Sequence, residues 1–382
     1  MAEPFSAEVR TSIKGVELPK VYQKSEINRM LGAQEQKGIR PTGLVSDFDN
    51  SYFRSDGVAD TKKLAAITAE YDIPTTIVTG NDLATITKKM DDNGLRKPEV
   101  LITAVGTEIY VLQKDGIGRE IYAKDDEYQK KMEEAQFDRK GCVVGLQKTI
   151  LDWRDDITKK AHSLDFQKPE VEVAFQKGET VDVQDYKVSC YFMAENDQDR
   201  GFVELEIKKQ FPHLEILICE EIGHNSKIKA GEPKKYCIDM LPIPKGLDHG
   251  GKAGAVDYLQ KTIGLERAFN VGDSGNDIQM LHSTALGEGI IVGGAKPELR
   301  DTVADVANFT PIGNTGFVKG PTGKKFFEAS STGTQAAGSI IDAAIRRLRV
   351  TLRFETEPKM RDYIREIIGK LQAPTQPSLQ AV

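Results

Sequence analysis

The sequence predicts an α/β protein with a doubly wound parallel-sheet (Rossmann-like) core and an inserted α/β cap domain. Three observations lead to this prediction. Short apolar strands alternate with amphipathic helical stretches, which is the pattern of a parallel sheet. Two of the strands, within 44–51 and 268–277, end on aspartates, as expected where ligands bind beyond the carboxyl ends of strands. A long charged block separates the two halves and predicts the insertion.

The first half of the core begins after residue 41, where the apolar strand delivers Asp47 and Asp49 to its carboxyl end. Helical spacing of apolar residues follows, and a β-branched run then ends at Thr79, Gly80 and Asn81. The predicted elements, in order, are strands at 44–51, 74–78, 99–103 and 106–111, with helices at 61–71 and 82–90. Together they form strand–helix–strand units.

The block from about 116 to 240 is more charged than its surroundings and predicts a separate α/β domain. Its predicted elements are helical stretches at 124–140 and 149–162 and strands at 170–176, 187–193, 213–219 and 235–240. The segment 241–246, with two prolines and a glycine, is the expected linker back to the core.

The core resumes with a helix opened by the loop at 250–252. The expected elements after it are a strand at 268–273, a helix from 278, a strand at 289–292, and helices at 332–348 and 359–371. The domains predicted are an N-terminal extension at 1–40 lying outside the main fold, a core at 41–115 and 241–350, a cap at 116–240, and a C-terminal helix with a flexible tail at 351–382.

Composition limits the classes of function. The chain has 382 residues, of which 39 % are hydrophobic and 29 % charged, which is ordinary for a globular protein. Its net charge of −6 argues against a nucleic-acid-binding surface. Neither a signal-peptide pattern nor an apolar run of about 18 residues occurs, so we expect a cytoplasmic protein without membrane partners. A monomer is favoured.

The four cysteines are Cys142, Cys190, Cys219 and Cys237. They are widely spaced, form no CxxC pair and have no histidine at ligand spacing. We therefore expect reduced, partly buried thiols instead of a zinc site or a structural disulfide.

Strand ends and one helix start carry the side chains that predict the chemistry. These residues are Asp47, Asp49, Asp273, Asp277, Thr79 and Lys252. Four carboxylates indicate a hard divalent cation, and Mg²⁺ suits them because it binds oxygen and keeps positions for water and a phosphate oxygen. One aspartate can attack phosphorus while a second, two residues on, protonates the leaving oxygen. The hydroxyl of Thr79 and the ammonium of Lys252 would hold phosphoryl oxygens.

A plainer interpretation exists for each residue. The segment 47–50 alone is compatible with a strand that runs into an Asx-type turn. Lys187 is compatible with a solvated surface lysine, and Gln184 and Glu108 with structural roles.

Four segments together resemble the motifs of the haloacid dehalogenase superfamily phosphatases. They are Asp47–Ser51, Thr79–Asn81, Lys252 and Gly272–Asp277. The insertion resembles a type-two cap, and further stretches resemble the sucrose-phosphate phosphatase group. These stretches are 105–109, Trp153, Gln184, 187–191, 239–242 and 295–299. The resemblance covers about residues 42–345.

The resemblance implies roles for individual residues. Asp47 would be the nucleophile and Asp49 the acid/base, with Lys252 completing the catalytic set. The implied magnesium ligands are Asp47, Asp273 and the main-chain carbonyl of Asp49, and Asp277 would support them. The implied substrate-binding residues are Ser51, Thr79, Gly80, Asn81, Glu108, Gln184, Lys187 and Asn276. Asn81 stands where the family often has arginine or serine.

The predicted function is that of a magnesium-dependent phosphomonoesterase for a small phosphorylated sugar, sucrose-6-phosphate-like, acting through an aspartyl-phosphate. A glycosyl-phosphoglycerate or glucosylglycerol phosphate would alter only the cap. A non-catalytic sugar-phosphate sensor that partners a glycosyltransferase is a second alternative, with segments 1–40 and 359–371 as docking elements. The intact pair of Asp47 and Asp49 disfavours it, since these carboxylates are costly to bury together.

Overall fold

The structure, a computed structural model, describes most of the chain. The described residues are 10–53, 55, 57–155, 165–166, 185–194, 197–220, 234–283, 287–291, 299, 310–312, 315–319, 325–328 and 358–373. The helices are α1 Lys20–Gln23, α2 Glu26–Gln36, α3 Val58–Glu70, α4 Leu83–Asp92, α5 Asp126–Glu134, α6 Arg139–Asp155, α7 Asp197–Gln210, α8 Gly251–Ile263, α9 Ile278–Ser283 and α10 Pro358–Gln372.

Sixteen strands are found among the described residues. They are β1 Ser12–Ile13, β2 Val16–Glu17, β3 Thr42–Asp47, β4 Thr75–Val78, β5 Val100–Thr103, β6 Glu108–Lys114, β7 Glu120–Lys124, β8 Asp165–Phe166, β9 Val188–Ala194, β10 Leu214–Glu220, β11 Lys234–Pro242, β12 Arg267–Gly272, β13 Gly287–Ile291, β14 Thr310–Ile312, β15 Thr315–Lys319 and β16 Lys325–Glu328.

The main sheet has ten strands in the order β14-β15-β16-β13-β12-β3-β4-β5-β6-β7. Its six central strands, β16 to β5, are parallel, and the flanking pairs are antiparallel. From β3 the chain builds outward on one side through β4 and β5, and later on the other side through β12 and β13. The sheet is thus doubly wound, as predicted, and its direction of growth reverses between β3 and β12. Ligands of such sheets bind at this switch point.

Both faces of the central strands are covered by helices. Successive residues of a strand point to opposite faces, and accordingly Leu44 and Val45 of β3 belong to two different hydrophobic clusters. The cluster on one face includes apolar side chains of α3, α4 and α10. The other cluster includes side chains of α2, α5 and α8. This double coverage explains why β3, β4 and β5 are buried throughout.

The prediction that residues 1–40 lie outside the main fold is wrong for residues 10–40. Tyr22, Ile27 and Leu31 are buried in the same cluster as α8. The Gln34 side chain bonds the backbone of Thr42 in both directions, at 2.7 and 2.9 Å, which ties α2 to the start of β3. Polar composition concealed an amphipathic helix whose apolar side completes the core.

The predicted amphipathic helix at 359–371 is confirmed as α10. Its apolar residues pack into the core cluster that contains α3, and Tyr363 Oη donates to the carbonyl of Tyr71 at 2.7 Å. The apolar faces of α2 and α10 are therefore already occupied. This contradicts their use as docking elements, on which the sensor alternative relied.

A second sheet of four strands has the order β10-β11-β9-β8 and is antiparallel. It lies within the segment predicted as the cap, and we call it the cap sheet. One of its faces packs against apolar residues of α6 and α7, including Leu146, Val203 and Ile207. The opposite face carries Leu217 and Leu241, which form a small cluster with Val105 of the core.

The predicted start of the cap at residue 116 differs from the structure. β7 pairs with β6 as the edge strand of the ten-stranded sheet. On α5, Tyr128 is buried in the core, where its hydroxyl donates to the carbonyl of Gly106 at 2.7 Å. The charge of β7, which led to its assignment to the cap, is the ordinary character of an exposed edge strand.

Other sequence predictions agree with the structure to within a few residues. The helices at 61–71 and 82–90 occur as α3 and α4, and the strands at 187–193, 213–219 and 235–240 occur as β9, β10 and β11. The predicted elements at 170–176 and 332–348 lie outside the described residues. Among the described helices, none has the length and apolar character that crossing a membrane requires.

Candidate active site

Three neighbouring parallel strands bring their carboxyl ends together at the switch point. Asp47 is the last residue of β3, Thr79 directly follows β4, and Asp273 directly follows β12. Because β12, β3 and β4 are adjacent in the sheet, these three residues share one edge. All three are buried.

Lys252 lies in the first turn of α8 and points into this edge. Its Nζ donates to Asp47 Oδ1 at 2.6 Å, to Asp277 Oδ1 at 2.8 Å and to Asn276 Oδ1 at 3.2 Å. The side chain is only 2 % exposed. Burial alone would lower the pKa of Lys252, but the attraction of Asp277 and Asp47 outweighs it and raises the pKa. These two carboxylates therefore favour the protonated form of the buried lysine.

Asp47, Asp273 and Asp277 each offer a carboxylate oxygen within 4.8 Å of the other two. Burial raises the pKa of Asp47 well above its usual value, the Asp277 and Asp273 charges raise it further, and Lys252 opposes them. Three carboxylates thus face one ammonium. This excess of negative oxygen ligands is what a hard divalent cation such as Mg²⁺ would balance, so the residues present fit that ion.

Asp277 also shapes the loop around it. Its Oδ2 accepts from the main-chain N–H groups of Asp273 and Ser274 at 3.1 and 3.2 Å, and from Ser274 Oγ at 3.3 Å. Its Oδ1 accepts from Lys252. Both oxygens are thus engaged by the protein, which fixes the turn that presents Asp273.

The Asp49 carboxylate lies outside the group of three aspartates. Its Oδ2 accepts from Asn81 Nδ2 at 2.9 Å, and Lys89 Nζ of α4 lies 3.0 Å from Oδ1 and 3.2 Å from Oδ2. Its side chain is 42 % exposed. The prediction counted four carboxylates at the metal site, but the Asp49 side chain contacts Asn81 and Lys89 and is not part of the group formed by Asp47, Asp273 and Asp277.

Thr79 and Asn81 form a compact loop after β4. The hydroxyl of Thr79 accepts from the Asn81 main-chain N–H at 3.1 Å and from Asn81 Nδ2 at 2.9 Å. Gly80 between them is exposed. Ser51 is buried, and its Oγ has no hydrogen-bond partner among the described residues. Asn81 thus connects the Thr79 hydroxyl to the Asp49 carboxylate, although the two segments are about thirty residues apart in the sequence.

The residues predicted to bind the sugar do not form one cluster among the described residues. Glu108 accepts from Thr103 Oγ1 and from Lys124 Nζ, both at 3.0 Å. Lys187 lies on the cap side, with Nζ 3.8 Å from Asp239 Oδ1. Gln184 lies outside the described residues.

Two features of the site were missed from the sequence. The first is Lys89, which belongs to none of the motifs described above. Lys88 and Lys89 are neighbours on α4 and therefore point in different directions around the helix axis. Lys88 pairs with Asp92 on the same helix, whereas Lys89 contacts Asp49. The second is the turn at 104–106, where Ala104, Val105 and Gly106 all have positive φ. A Cβ at Gly106 would lie 2.3 Å from the carbonyl of Gly251, so backbone packs on backbone beside Lys252. The glycine of the predicted 105–109 stretch was the available signal.

Comparison with known proteins decides which family this site belongs to. The family model described as sucrose-6F-phosphate phosphohydrolase matches residues 40–166 and 233–312, more than half of the chain. The chain belongs to this family. It is therefore a phosphoric monoester hydrolase of the haloacid dehalogenase superfamily, and the resemblance drawn from the four motifs is confirmed.

One sequence relative and one solved structure show what this member of the sucrose-6F-phosphate phosphohydrolase family is similar to. A kanosamine-6-phosphate phosphatase of Bacillus subtilis (strain 168) is 26 % identical over 233 residues, which are 59 % of this chain and 69 % of the relative. A solved sucrose-phosphatase of Synechocystis sp. PCC6803, in complex with sucrose and phosphate, is 19 % identical with a TM-score of 0.53. That likeness covers 81 % of this chain and 98 % of the solved chain, and at this identity it shows the fold.

Proposed function

We propose that the protein is a magnesium-dependent phosphomonoesterase that removes phosphate from a small phosphorylated sugar through an aspartyl-phosphate intermediate. The single observation that supports this most directly is the buried contact of Lys252 with both Asp47 and Asp277 at the switch point. It joins a carboxylate that can attack phosphorus to a cation that can hold the phosphoryl oxygens.

Asp47 is the proposed nucleophile. Lys252 holds its Oδ1, which leaves Oδ2 to form a bond with phosphorus while the bond from phosphorus to the sugar oxygen breaks. Water then attacks phosphorus and restores the carboxylate. The fixed position of Asp47 at a strand end matters, because in-line attack tolerates little misplacement.

Asp49 is the proposed acid and base. It would donate a proton to the leaving sugar oxygen and later take one from the attacking water. To act as the acid, Asp49 would leave its contact with Lys89, take up a proton from solvent and then donate that proton to the leaving oxygen. Its partial exposure and its position outside the aspartate group leave room for that exchange.

Asp47, Asp273 and the main-chain carbonyl of Asp49 are the proposed holders of Mg²⁺, with Asp277 maintaining the Asp273 turn. A bound Mg²⁺ would offset charge on the phosphoryl oxygens. The donor set contains oxygen only, as this ion prefers.

The remaining phosphate contacts are assigned to groups already near the nucleophile. We propose the Thr79 hydroxyl, the main chain at Gly80, the Ser51 hydroxyl and the ammonium of Lys252 as donors. Asn81 and Asn276 orient Asp49 and Lys252 respectively, through hydrogen bonds of 2.9 and 3.2 Å. Removing such a donor from a buried site typically costs about 10²–10³ in rate.

The sugar is assigned to the surface between core and cap. The family model leaves 167–232 unmatched, and this segment contains Gln184 and Lys187. Together with Glu108 they are the proposed sugar contacts. The compounds named in the description of the family, sucrose-6F-phosphate, and in the name of the Bacillus subtilis relative, kanosamine-6-phosphate, support a phosphorylated sugar as the class. Sucrose-6-phosphate, a glycosyl-phosphoglycerate and glucosylglycerol phosphate are the candidates, acted on by a cytoplasmic monomer.

The test is phosphate release from a panel of phosphorylated sugars, with Mg²⁺ or with a chelator. Asp47→Asn should abolish turnover while the far-ultraviolet circular dichroism stays the same, since the amide keeps the size and loses the nucleophilic charge. Asp92→Asn, an exposed position on α4, is the control for loss of one carboxylate. Retention of more than about a tenth of the activity by Asp47→Asn, or full activity in chelator, would contradict the proposal.

A further inference from the structure

Two of the four cysteines face each other across the cap sheet. Cys219 of β10 and Cys237 of β11 are directly opposed in the antiparallel register. Directly opposed residues have Cα atoms about 4.5–5.5 Å apart. A disulfide spans Cα atoms about 4.4–6.8 Å apart, so this pair can be bridged without moving the backbone.

The same two cysteines are the accessible ones. Cys219 and Cys237 are half-buried, whereas Cys142 and Cys190 are buried within the hydrophobic cluster of the cap sheet and its helices. Cys190 is opposed by Ile238 and not by a thiol. A thiol reagent from solution therefore meets Cys219 and Cys237 first, and meets them as a pair.

The pair lies on the face of the cap sheet that looks toward the core. Alternate residues of a strand share a face, so Cys219 shares one with Leu217, and Cys237 shares one with Asp239 and Leu241. Leu217 and Leu241 contact Val105 of the core. The Cys237 thiol donates to Asp239 Oδ1 at 3.7 Å, which confirms the direction of its side chain.

We propose that Cys219 and Cys237 form a modification site, a reversible cross-strand disulfide made by exchange with a low-molecular-weight disulfide. The sulfur of one cysteine attacks a sulfur of the small disulfide and expels one small thiol, which leaves a mixed disulfide on the protein. The second cysteine sulfur then attacks the protein sulfur of that bond and expels the other small thiol. Two protein thiols become one disulfide, and the small disulfide is reduced to two thiols that carry both protons.

The bond would close residues 220–236 into a loop and fix β10 to β11 on the side toward the core. It uses none of the residues assigned to phosphate chemistry. Reversible disulfides of this kind are the ones that occur in reducing compartments, where they are transient and not structural. The inference therefore agrees with a resting state of four reduced thiols, as the structure shows.

The experiment incubates the full-length native protein with oxidised glutathione, quenches it with an alkylating agent and maps the peptides by mass spectrometry. The expected product has lost two hydrogen atoms, carries one bond between Cys219 and Cys237, and keeps Cys142 and Cys190 alkylated. Dithiothreitol should restore four thiols. Circular dichroism before and after oxidation checks that the protein stays folded.

Variants separate a specific pair from general oxidation. Cys219→Ser should leave Cys237 as a mixed disulfide with glutathione, and Cys237→Ser should do the same to Cys219, while Cys142→Ala should still form the bridge. The mapping of the wild-type protein decides the question even if a variant does not fold. Four retained thiols, two separate mixed disulfides, or a bond that includes Cys142 or Cys190 would each overturn the proposal.

Discussion

Lys252 Nζ donates to Asp47 Oδ1 at 2.6 Å, joining residues 205 positions apart in the sequence. The lysine also reaches Asp277, and all three side chains are buried. Each carboxylate is therefore stabilised by the same cation. Loss of the Lys252 ammonium should therefore affect both the proposed catalysis and the stability of the fold.

Replacing Lys252 with methionine should abolish activity and lower the free energy of unfolding by about 3–5 kcal/mol, because two buried carboxylates lose their counter-charge. Urea unfolding with and without Mg²⁺ measures the change. Lys88→Met removes an exposed lysine paired with Asp92 and should change stability little. An unchanged midpoint for Lys252→Met would contradict the structural role.

Gly106→Ala should destabilise the site, because its Cβ would lie 2.3 Å from the carbonyl of Gly251 and its φ is +94°. Gly118→Ala is the matched control, since Gly118 has φ of +84° and nothing within 4 Å of the added Cβ. We expect about 1–2 kcal/mol for the control from its backbone conformation alone. Gly106→Ala should cost clearly more and should also reduce activity. If thermal unfolding showed the same loss of stability for Gly106→Ala and Gly118→Ala, the close approach of Gly106 to Gly251 would add nothing to the effect of backbone conformation.

Asp49→Asn should slow sugar-phosphate hydrolysis much more than hydrolysis of an activated aryl phosphate, because a good leaving group needs no proton. The ratio of kcat/KM for the two substrates is the measurement. Asp91→Asn, at an exposed position on α4, should leave that ratio unchanged. If Asp49→Asn reduced both substrates equally, its role would be structural.

Lys187→Ala should lower kcat/KM for the sugar phosphate. The loss, expressed as a free energy of transition-state stabilisation, should be about 1–3 kcal/mol, the size of a lost hydrogen bond to a charged group. An aryl phosphate, which occupies the core without the cap, should be hydrolysed as before. Lys208→Ala on α7, where the exposed lysine pairs with Glu204, is the control. Should both substrates suffer alike, or neither, Lys187 serves only as the partner of Asp239.

Asp125 supplies a prediction about pH. Burial raises the pKa of this carboxyl, against the hydrogen bonds from Tyr22, Tyr258 and the main chain of α5. A folded-state pKa above the usual value of 3.8 means that the folded protein binds the proton more tightly. This contribution to stability is therefore complete at low pH and is lost as pH rises through the folded pKa.

The comparison is between wild type and Asp125→Asn, which cannot ionise. The free energy of unfolding of wild type minus that of the variant should fall as pH rises from 3.8 and should level off above the folded pKa. Tyr22→Phe removes a hydrogen bond to the carboxylate and should enlarge the fall. Urea unfolding at a series of pH values from 3.8 upward measures this difference in free energy. A difference that rises with pH would contradict a raised pKa for Asp125.

The core of the site could be predicted because its signals are local. Asp47 and Asp273 each close a short apolar strand, and parallel strands deliver their ends to one edge. The prediction that these strands are parallel then placed both aspartates at the carboxyl-terminal edge of the sheet. The same local reasoning located α10, since its apolar spacing is strong.

The rest depends on contacts between distant residues. Arg10 donates to the carbonyl of Ile263 at 2.6 Å and Tyr22 Oη donates to Asp125 at 2.6 Å, so the N-terminal segment is anchored by partners more than a hundred residues away. No composition rule reveals such partners. The Lys89 contact with Asp49 depends likewise on the rotation of α4, and the core membership of β7 depends on its pairing with β6.

The pairing of β3 with β12 has a consequence for synthesis of the chain. More than two hundred residues separate these neighbours, for example Val45 and its partner Asn270. The ribosome therefore releases β3, β4 and β5 long before β12 exists, and one edge of β3 remains without its strand during that interval. Such an edge is open to pairing with other chains. Nascent chains that stall within the insertion would consequently expose this unpaired edge of β3.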